Sequence, residues 1–238
     1  MFRYLCLISL GLAACGPPAP APILLFTGGG TSPGDVAALQ AILEENHLAY
    51  ATANSWQLNG ITESRLTAYR LLIVPGGNFV KIGDRLTADA TATIRRAVQS
   101  GVNYLGICAG AFFGGYSPYN GLNLTGGVRF GFYSAENRGI HKAAVPIADA
   151  GSGTLDLYWE DGPQLDGWGA VVAKYPDGSP AIVEGMSGNG WVVLAGIHPE
   201  APASWRRGLI FQTPVSASRD YSLRLLQAAL NRSPLPHY

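Results

Sequence analysis

The sequence predicts an α/β domain with a mostly parallel central sheet and antiparallel hairpins added in its C-terminal half. Three observations carry this. Short apolar strands alternate with helical segments through the first half of the chain. The strand Arg70-Leu71-Leu72-Ile73-Val74 is apolar without a break, as expected where both faces of a sheet are covered. The second half changes to strands joined by tight turns.

The elements follow in order. Ile23 to Thr27 is a strand that stops at Gly28-Gly29-Gly30. That glycine run has neither the following Lys-Ser or Lys-Thr of a phosphate loop nor GxGxxG spacing, so it reads as a turn at a strand's carboxyl end. Asp35 to Glu45 carries Val36, Leu39, Ile42 and Leu43 at helical spacing. His47 to Thr52 is read as a second strand. The strand ending at Val74 runs into Pro75-Gly76-Gly77. Thr87 to Gln99 is helical, with Gly101 just beyond. Val102 to Ile107 is a strand leading into Cys108, and Ala109 to Gly114 starts a helix. Strands at Leu155–Trp159, Gly169–Tyr175, Ala181–Glu184 and Trp191–Ile197 are joined by turns such as Pro176-Asp177-Gly178 and Ser187-Gly188-Asn189-Gly190. A helix over Ser216–Arg232 closes the chain. No internal repeat and no second domain boundary is visible.

Composition narrows the function classes. Of 238 residues, 47% are hydrophobic and 13% charged, which suits a Gly-rich packed domain and not a disordered or coiled-coil chain. Formal net charge is zero, and Arg95-Arg96 and Arg206-Arg207 are pairs rather than patches, so no nucleic-acid partner is expected.

The N-terminus reads as a processing segment. Arg3 supplies a positive n-region, and Leu5 to Leu12 is apolar but too short to span a bilayer. The sequence Leu12-Ala13-Ala14-Cys15 resembles a bacterial lipobox. That resemblance implies a signal peptide over residues 1–14 and a diacylglycerol on the Cys15 sulfur. It also implies an exported protein anchored in the cell envelope. Gly16, in place of Asp, points by the same rule to the periplasmic face of the outer membrane. The alternative is an ordinary signal peptide with a chance cysteine. Residues 15–22, rich in Pro, form an extended tether, and the domain occupies 23–238. With Cys6 removed and Cys15 acylated, Cys108 is the one thiol of the domain: buried and inert, or present for its chemistry.

Three motifs favour chemistry. Gly106-Ile107-Cys108-Ala109-Gly110 places a thiol on a strand-to-helix turn between glycines, where crowded backbone needs small neighbours. The alternative is a small buried hydrophobe at a strand end. His198 and Glu200 in Ile197-His198-Pro199-Glu200 point the same way in extended chain, as a base and the carboxylate that orients it. Gly76, Gly77 and Asn78 follow a buried strand, and the Gly77 and Ala109 N–H groups suit a substrate oxyanion. A loop turning away from the sheet is the plainer reading of that segment. Asn78 and Tyr133 are further candidates for ligand contact. Tyr158-Trp159-Glu160-Asp161-Gly162-Pro163 is read as a hairpin end in preference to a pocket mouth. His47 and His141 lack partners at metal-ligand spacing, so neither metal nor cofactor is expected.

Taken in order, these motifs resemble the class I glutamine amidotransferase superfamily. Within it, Leu105 to Gly114 (LGICAGAFFG) resembles the domain found N-terminal to eukaryotic-type biotin–protein ligases. The likeness covers roughly residues 23 to 232 in element order. It implies a flavodoxin-like three-layer sandwich and a catalytic triad of Cys108, His198 and Glu200. The 238 residues hold no synthetase or biotin-ligase catalytic segment, and export would separate the domain from ATP-driven transfer. The expected activity is therefore thiol-dependent hydrolysis of a small amide or peptide-like bond. The alternatives are a non-catalytic ligand-binding module and a periplasmic peptidase, whose relatives commonly carry Ser at the elbow.

Overall fold

The structure is a computed structural model that describes residues 21–238. The expected signal segment, the Cys15 lipidation site and nearly all of the tether lie outside those residues. In chain order the elements are β1 (Ile23–Phe26), α1 (Pro33–Glu45), β2 (Tyr50–Ala53), α2 (Ser55–Asn59), α3 (Glu63–Leu66), β3 (Leu71–Val74), α4 (Phe79–Asp84) and α5 (Ala88–Ser100). They continue with β4 (Asn103–Ile107), α6 (Ala109–Gly114), β5 (Gly131–Phe132), β6 (Lys142–Asp149), β7 (Gly153–Glu160) and β8 (Pro163–Gln164). The last are β9 (Ala170–Lys174), β10 (Pro180–Ser187), β11 (Gly190–Ala195) and α7 (Val215–Asn231).

Nine strands form one sheet in the order β2-β1-β3-β4-β11-β10-β9-β6-β7. The first five of that order run parallel, and the rest are antiparallel. This is the mixed α/β sandwich the sequence predicts. Alternate residues of one strand feed opposite layers, which is how a period of two fills two cores. Ile23 and Leu25 pack with α1 and α7, through Leu39, Leu43, Tyr221 and Leu225. Leu24 and Phe26 pack on the other face with Leu58, Ile94 and Phe112.

Three departures from the expected elements have local causes. The second strand starts at Tyr50, not His47, because His47 adopts φ 53° and Leu48 N–H still bonds back to Leu43 in α1. The strand β6 was not foreseen, since Pro146 interrupts its apolar pattern. Pro146 opposes Asp156 of β7, and pairing with β9 on the other side begins only at Ala148. Its missing N–H therefore falls on an unpaired stretch of edge. The short helices α2, α3 and α4 lack the length for a periodic signal; Asn54, Thr62 and Asn78 stand at their N-caps.

The antiparallel strands curl back on the parallel half. Although β7 ends the sheet order, Tyr158 bridges His198 just beyond β11, and His198 N–H donates to the Tyr158 carbonyl at 2.8 Å. The extension thereby brings Glu160 to the mouth of the parallel strands.

Candidate active site

Cys108 leaves β4 at φ 48°, ψ −105°, a strained backbone for a residue with a side chain. Its glycine neighbours are required by close approach. A Cβ on Gly110 would lie 1.9 Å from the Val74 carbonyl oxygen, and one on Gly106 would lie 2.5 Å from the Gly110 carbonyl oxygen. Cys108 N–H donates to Ala195 O at 2.7 Å, which ties the elbow to the end of β11. Three residues beyond Ala195 comes His198, so adjacent strand ends deliver thiol and imidazole to one edge.

His198 is 4% exposed and Glu200 is 1% exposed. Nδ1 of His198 makes a hydrogen bond to Glu200 Oε1 at 2.9 Å, as the spacing in Ile197-His198-Pro199-Glu200 predicts. The sequence reading missed Asp35. It is 2% exposed, and its Oδ1 also lies 2.9 Å from His198 Nδ1. Asp35 comes from the first turn of α1, where Ser32 Oγ accepts its N–H at 3.3 Å. An acid in a helix's first turn ordinarily answers the helix dipole, so nothing in the sequence singled it out. Gly76 makes room for this pair. A Cβ there would stand 2.5 Å from Asp35 Oδ1 and 2.6 Å from His198 Cε1.

One buried ring nitrogen therefore faces two carboxylates. Burial works against charge on every member, and the mutual attraction overrides it for Asp35 and His198 but not for Glu200. Asp35 is held below the usual carboxylate range because His198 outweighs the burial, helped by the Ser32 hydroxyl. Burial pushes Glu200 up to about 7, with His198 pulling the other way and Asp35 adding to the rise. For His198 burial favours the neutral ring, but the charges of Cys108, Glu200 and Asp35 drive its pKa well above 6.5. The ring thus tends to hold its proton.

Cys108 is 5% exposed. Its Sγ donates to the Glu160 carbonyl at 3.5 Å, and among the described residues no hydrogen bond joins it to the His198 ring. The Tyr158–Pro163 segment is therefore part of the site wall rather than a remote hairpin end. Tyr158 donates to Glu160 Oε2 at 2.6 Å and packs edge-on to His198. Trp205, which the sequence reading also missed, roofs the ring at 5.7 Å between centroids. Its indole sits where a Cβ on Gly34 would be, 2.7 Å away.

The remaining candidates take defined places. Gly77 adopts φ 141°, and a Cβ on it would lie 2.2 Å from the Gly30 carbonyl oxygen. Neither Gly77 N–H nor Ala109 N–H has a protein acceptor among the described residues. Asn78, expected beside a ligand, instead caps α4: its Oδ1 accepts the Lys81 N–H at 3.0 Å. Tyr133, expected to meet a ligand, is a core residue stacked on Tyr175 at 3.9 Å and set edge-on to Trp159. His141 stands on the surface with Asp161 Oδ1 at 3.0 Å. The sequence pointed to no metal site. Asp35, His198 and Glu200 form a buried trio whose ligand-type atoms lie within 4.8 Å of one another. The Glu200 contact has hydrogen-bond geometry, whereas Asp35 Oδ1, equally near the ring nitrogen, has no hydrogen-bond partner among the described residues.

Comparison with known proteins agrees with this architecture. Residues 21–141 match the family described as biotin-protein ligase, N terminal, a stretch that includes Asp35, Gly76, Gly77 and Cys108. An uncharacterized protein of Chlamydia muridarum is 31% identical over 157 residues, covering 55% of this chain and 60% of that protein. The biotin–protein ligase of Schizosaccharomyces pombe is 28% identical over 185 residues, covering 65% of this chain and 28% of the ligase. The chain thus spans less than two thirds of either relative's length. A crystal structure of a glutamine amidotransferase superposes with a TM-score of 0.62 at 18% identity, covering 87% of this chain and 98% of that one. At that identity the likeness is one of fold. The chain belongs to the biotin–protein ligase N-terminal family and has a glutamine amidotransferase-like fold.

Proposed function

We propose that the domain is a thiol-dependent hydrolase of a small amide or peptide-like bond, and that it works outside the cytoplasm on a Cys15 lipid anchor. The observation that carries the catalytic part is the buried Asp35–His198–Glu200 cluster set beside a strained Cys108 elbow. A structural cysteine has no need of an ionic cluster, which is costly to bury.

Cys108 Sγ attacks the substrate carbonyl carbon and forms the S–C bond. Its proton resides on the His198 face opposite Nδ1, which the carboxylates occupy. The developing oxyanion accepts the Gly77 and Ala109 N–H groups. As the C–N bond breaks, His198 delivers the proton to the leaving amine. Water then adds to the thioester and releases a carboxylic acid and the thiol. The sulfur donates to the Glu160 carbonyl, so this mechanism requires it to leave that partner for the His198 ring.

The test is the rate of Cys108 alkylation by chloroacetamide at pH 7. The native protein is expected to react faster than a free thiol, and His198→Ala to lose that advantage. An unchanged rate in His198→Ala overturns the catalytic reading; ligand binding without any Cys108-dependent product would assign a binding module instead. Anchoring is tested separately by incorporation of labelled palmitate, which Cys15→Ala must abolish.

A further inference from the structure

One open feature near the site is chemically unlike the rest of its surroundings. A cleft of about 290 Å³ is walled by Phe79, Phe112, Tyr116, Phe130 and Phe132. Phe79 and Phe112 stack at 4.6 Å, and Phe132 stands 4.9 Å from Phe112 at a tilt of 58°. Phe132 is 42% exposed and Tyr116 is 46% exposed, so aromatic faces remain open to water. Arg129 lines the same cleft and is its one ionisable group with a full charge. Among the described residues it has no ion-pair partner.

Three walls of the cleft continue segments that build the site. Phe112 lies four residues past Cys108 on α6, about 6 Å along the helix axis. Phe79 lies two residues past Gly77. Phe132 pairs with Pro163, and the next residue, Tyr133, donates its N–H to the Gly162 carbonyl just past Glu160. A molecule with its carbonyl at the Cys108 elbow would extend by about one helical turn into this aromatic space.

Resting on the hydrolase reading, we infer that the cleft is the substrate-recognition pocket and takes an amide bearing a flat aromatic ring and a carboxylate. The ring lies among Phe79, Phe112 and Phe132, where offset or edge-on contact between π-systems favours it over a saturated ring. The carboxylate meets the Arg129 guanidinium, which accommodates a planar anion through paired N–H donors. A small polar amide such as glutamine leaves the aromatic walls wet and fits this cleft poorly.

The experiment measures binding by calorimetry to the full-length Cys108→Ser protein, which removes turnover. Three probes are compared: N-(4-carboxybenzyl)acetamide, N-benzylacetamide, and the cyclohexane analogue of the first. The carboxybenzyl probe is expected to bind best, with the cyclohexane analogue about three- to tenfold weaker. Arg129→Ala should bring the carboxybenzyl probe down to the level of N-benzylacetamide, a loss of up to about fivefold. Phe132→Ala should weaken both aromatic probes about threefold or more. Equal binding of the aromatic and cyclohexane probes, no loss in the two variants, or no saturable binding overturns the inference. Both substituted residues are surface-exposed, so the variants keep the core intact. The two readings fail separately. If His198→Ala leaves alkylation unchanged, the catalytic reading falls while the binding result stands. Ring-indifferent binding with normal His198 dependence removes only the cleft assignment.

Discussion

Behind the Cys108 sulfur lie three ionisable groups, none more than 4% exposed, with each carboxylate 2.9 Å from His198 Nδ1. The proposed front of the site is a cleft of aromatic rings, two of which, Tyr116 and Phe132, are nearly half exposed. The rear is closely fitted and charged; the front is open and nearly uncharged. Chemistry that moves a proton needs fixed distances and low dielectric, whereas selection of a flat substrate needs surface that is free to be covered. Substitutions behind the sulfur should therefore be severe and pH-dependent, and those in front mild and dependent on the ligand.

The largest expected effect tests the rear directly. His198→Ala should slow Cys108 alkylation by roughly 10²- to 10⁴-fold, the range for loss of a positioned acid–base group. A fall of less than about threefold would erase the contrast between the two sides. Next comes the fit itself. Gly76→Ala inserts a Cβ within 2.6 Å of both Asp35 and His198, and overpacking of that kind costs about 1–3 kcal/mol. Gly131→Ala, in the cleft wall, meets nothing within 4 Å. Thermal unfolding should show a clear drop in Tm for the first and almost none for the second. Equal shifts would mean that the rear is no more tightly built than the front.

The two carboxylates on His198 also separate what the sequence shows from what it hides. Glu200 was readable because a residue two positions along an extended segment must face the same way as His198. Asp35 was not, since its contact is made only when α1 docks its first turn against the end of β11. The parallel half was legible for a similar reason: β1, β3 and β4 are local apolar runs bounded by glycine. The antiparallel half was legible only in part. Its turns at Pro176-Asp177-Gly178 and Ser187–Gly190 mark hairpins, but the curl that carries Glu160 to Cys108 depends on distant pairings. Asn78 and Tyr133 looked like site residues because polar and aromatic groups near loops resemble ligand contacts. One proved to be a helix cap and the other a packed ring.

Asp35→Asn should cost more at pH 7 than Glu200→Gln. Asp35 is the carboxylate held below its usual range, so it stands ionised beside His198 and adds to the Cys108 and Glu200 charges that raise the ring. Glu200, raised to about 7, is already half neutral there. The expected loss in alkylation rate is about tenfold for Asp35→Asn and less for Glu200→Gln, with the His198-dependent limb of the pH profile moved downward in the Asn variant. The reverse order would make Glu200 the principal partner of the ring.

The smallest effect is a crossover in stability. The folded-state pKa of Glu200 is raised, mainly by burial, from 4.5 to about 7. A raised pKa means that the fold favours the protonated carboxyl. Its contribution is fully present below about pH 4.5, and declines as pH rises toward 7, because the unfolded chain releases the proton first. His198, also raised, keeps its contribution up to about 6.5 and loses it at higher pH, so the two add in the same direction on the alkaline side. Asp35 acts oppositely and weakens the fold only as pH drops below its ordinary value of 3.8. Glu200→Gln mimics the protonated acid at every pH. Its Tm should match the native protein near pH 4 and exceed it by several degrees at pH 8, since about 1 kcal/mol moves Tm by roughly 2–4 °C in a chain of this size. A parallel change in Tm with pH for both proteins would show that Glu200 stays ionised throughout. His198 would then face two full negative charges, and the unequal sharing that distinguishes Asp35 from Glu200 would be absent.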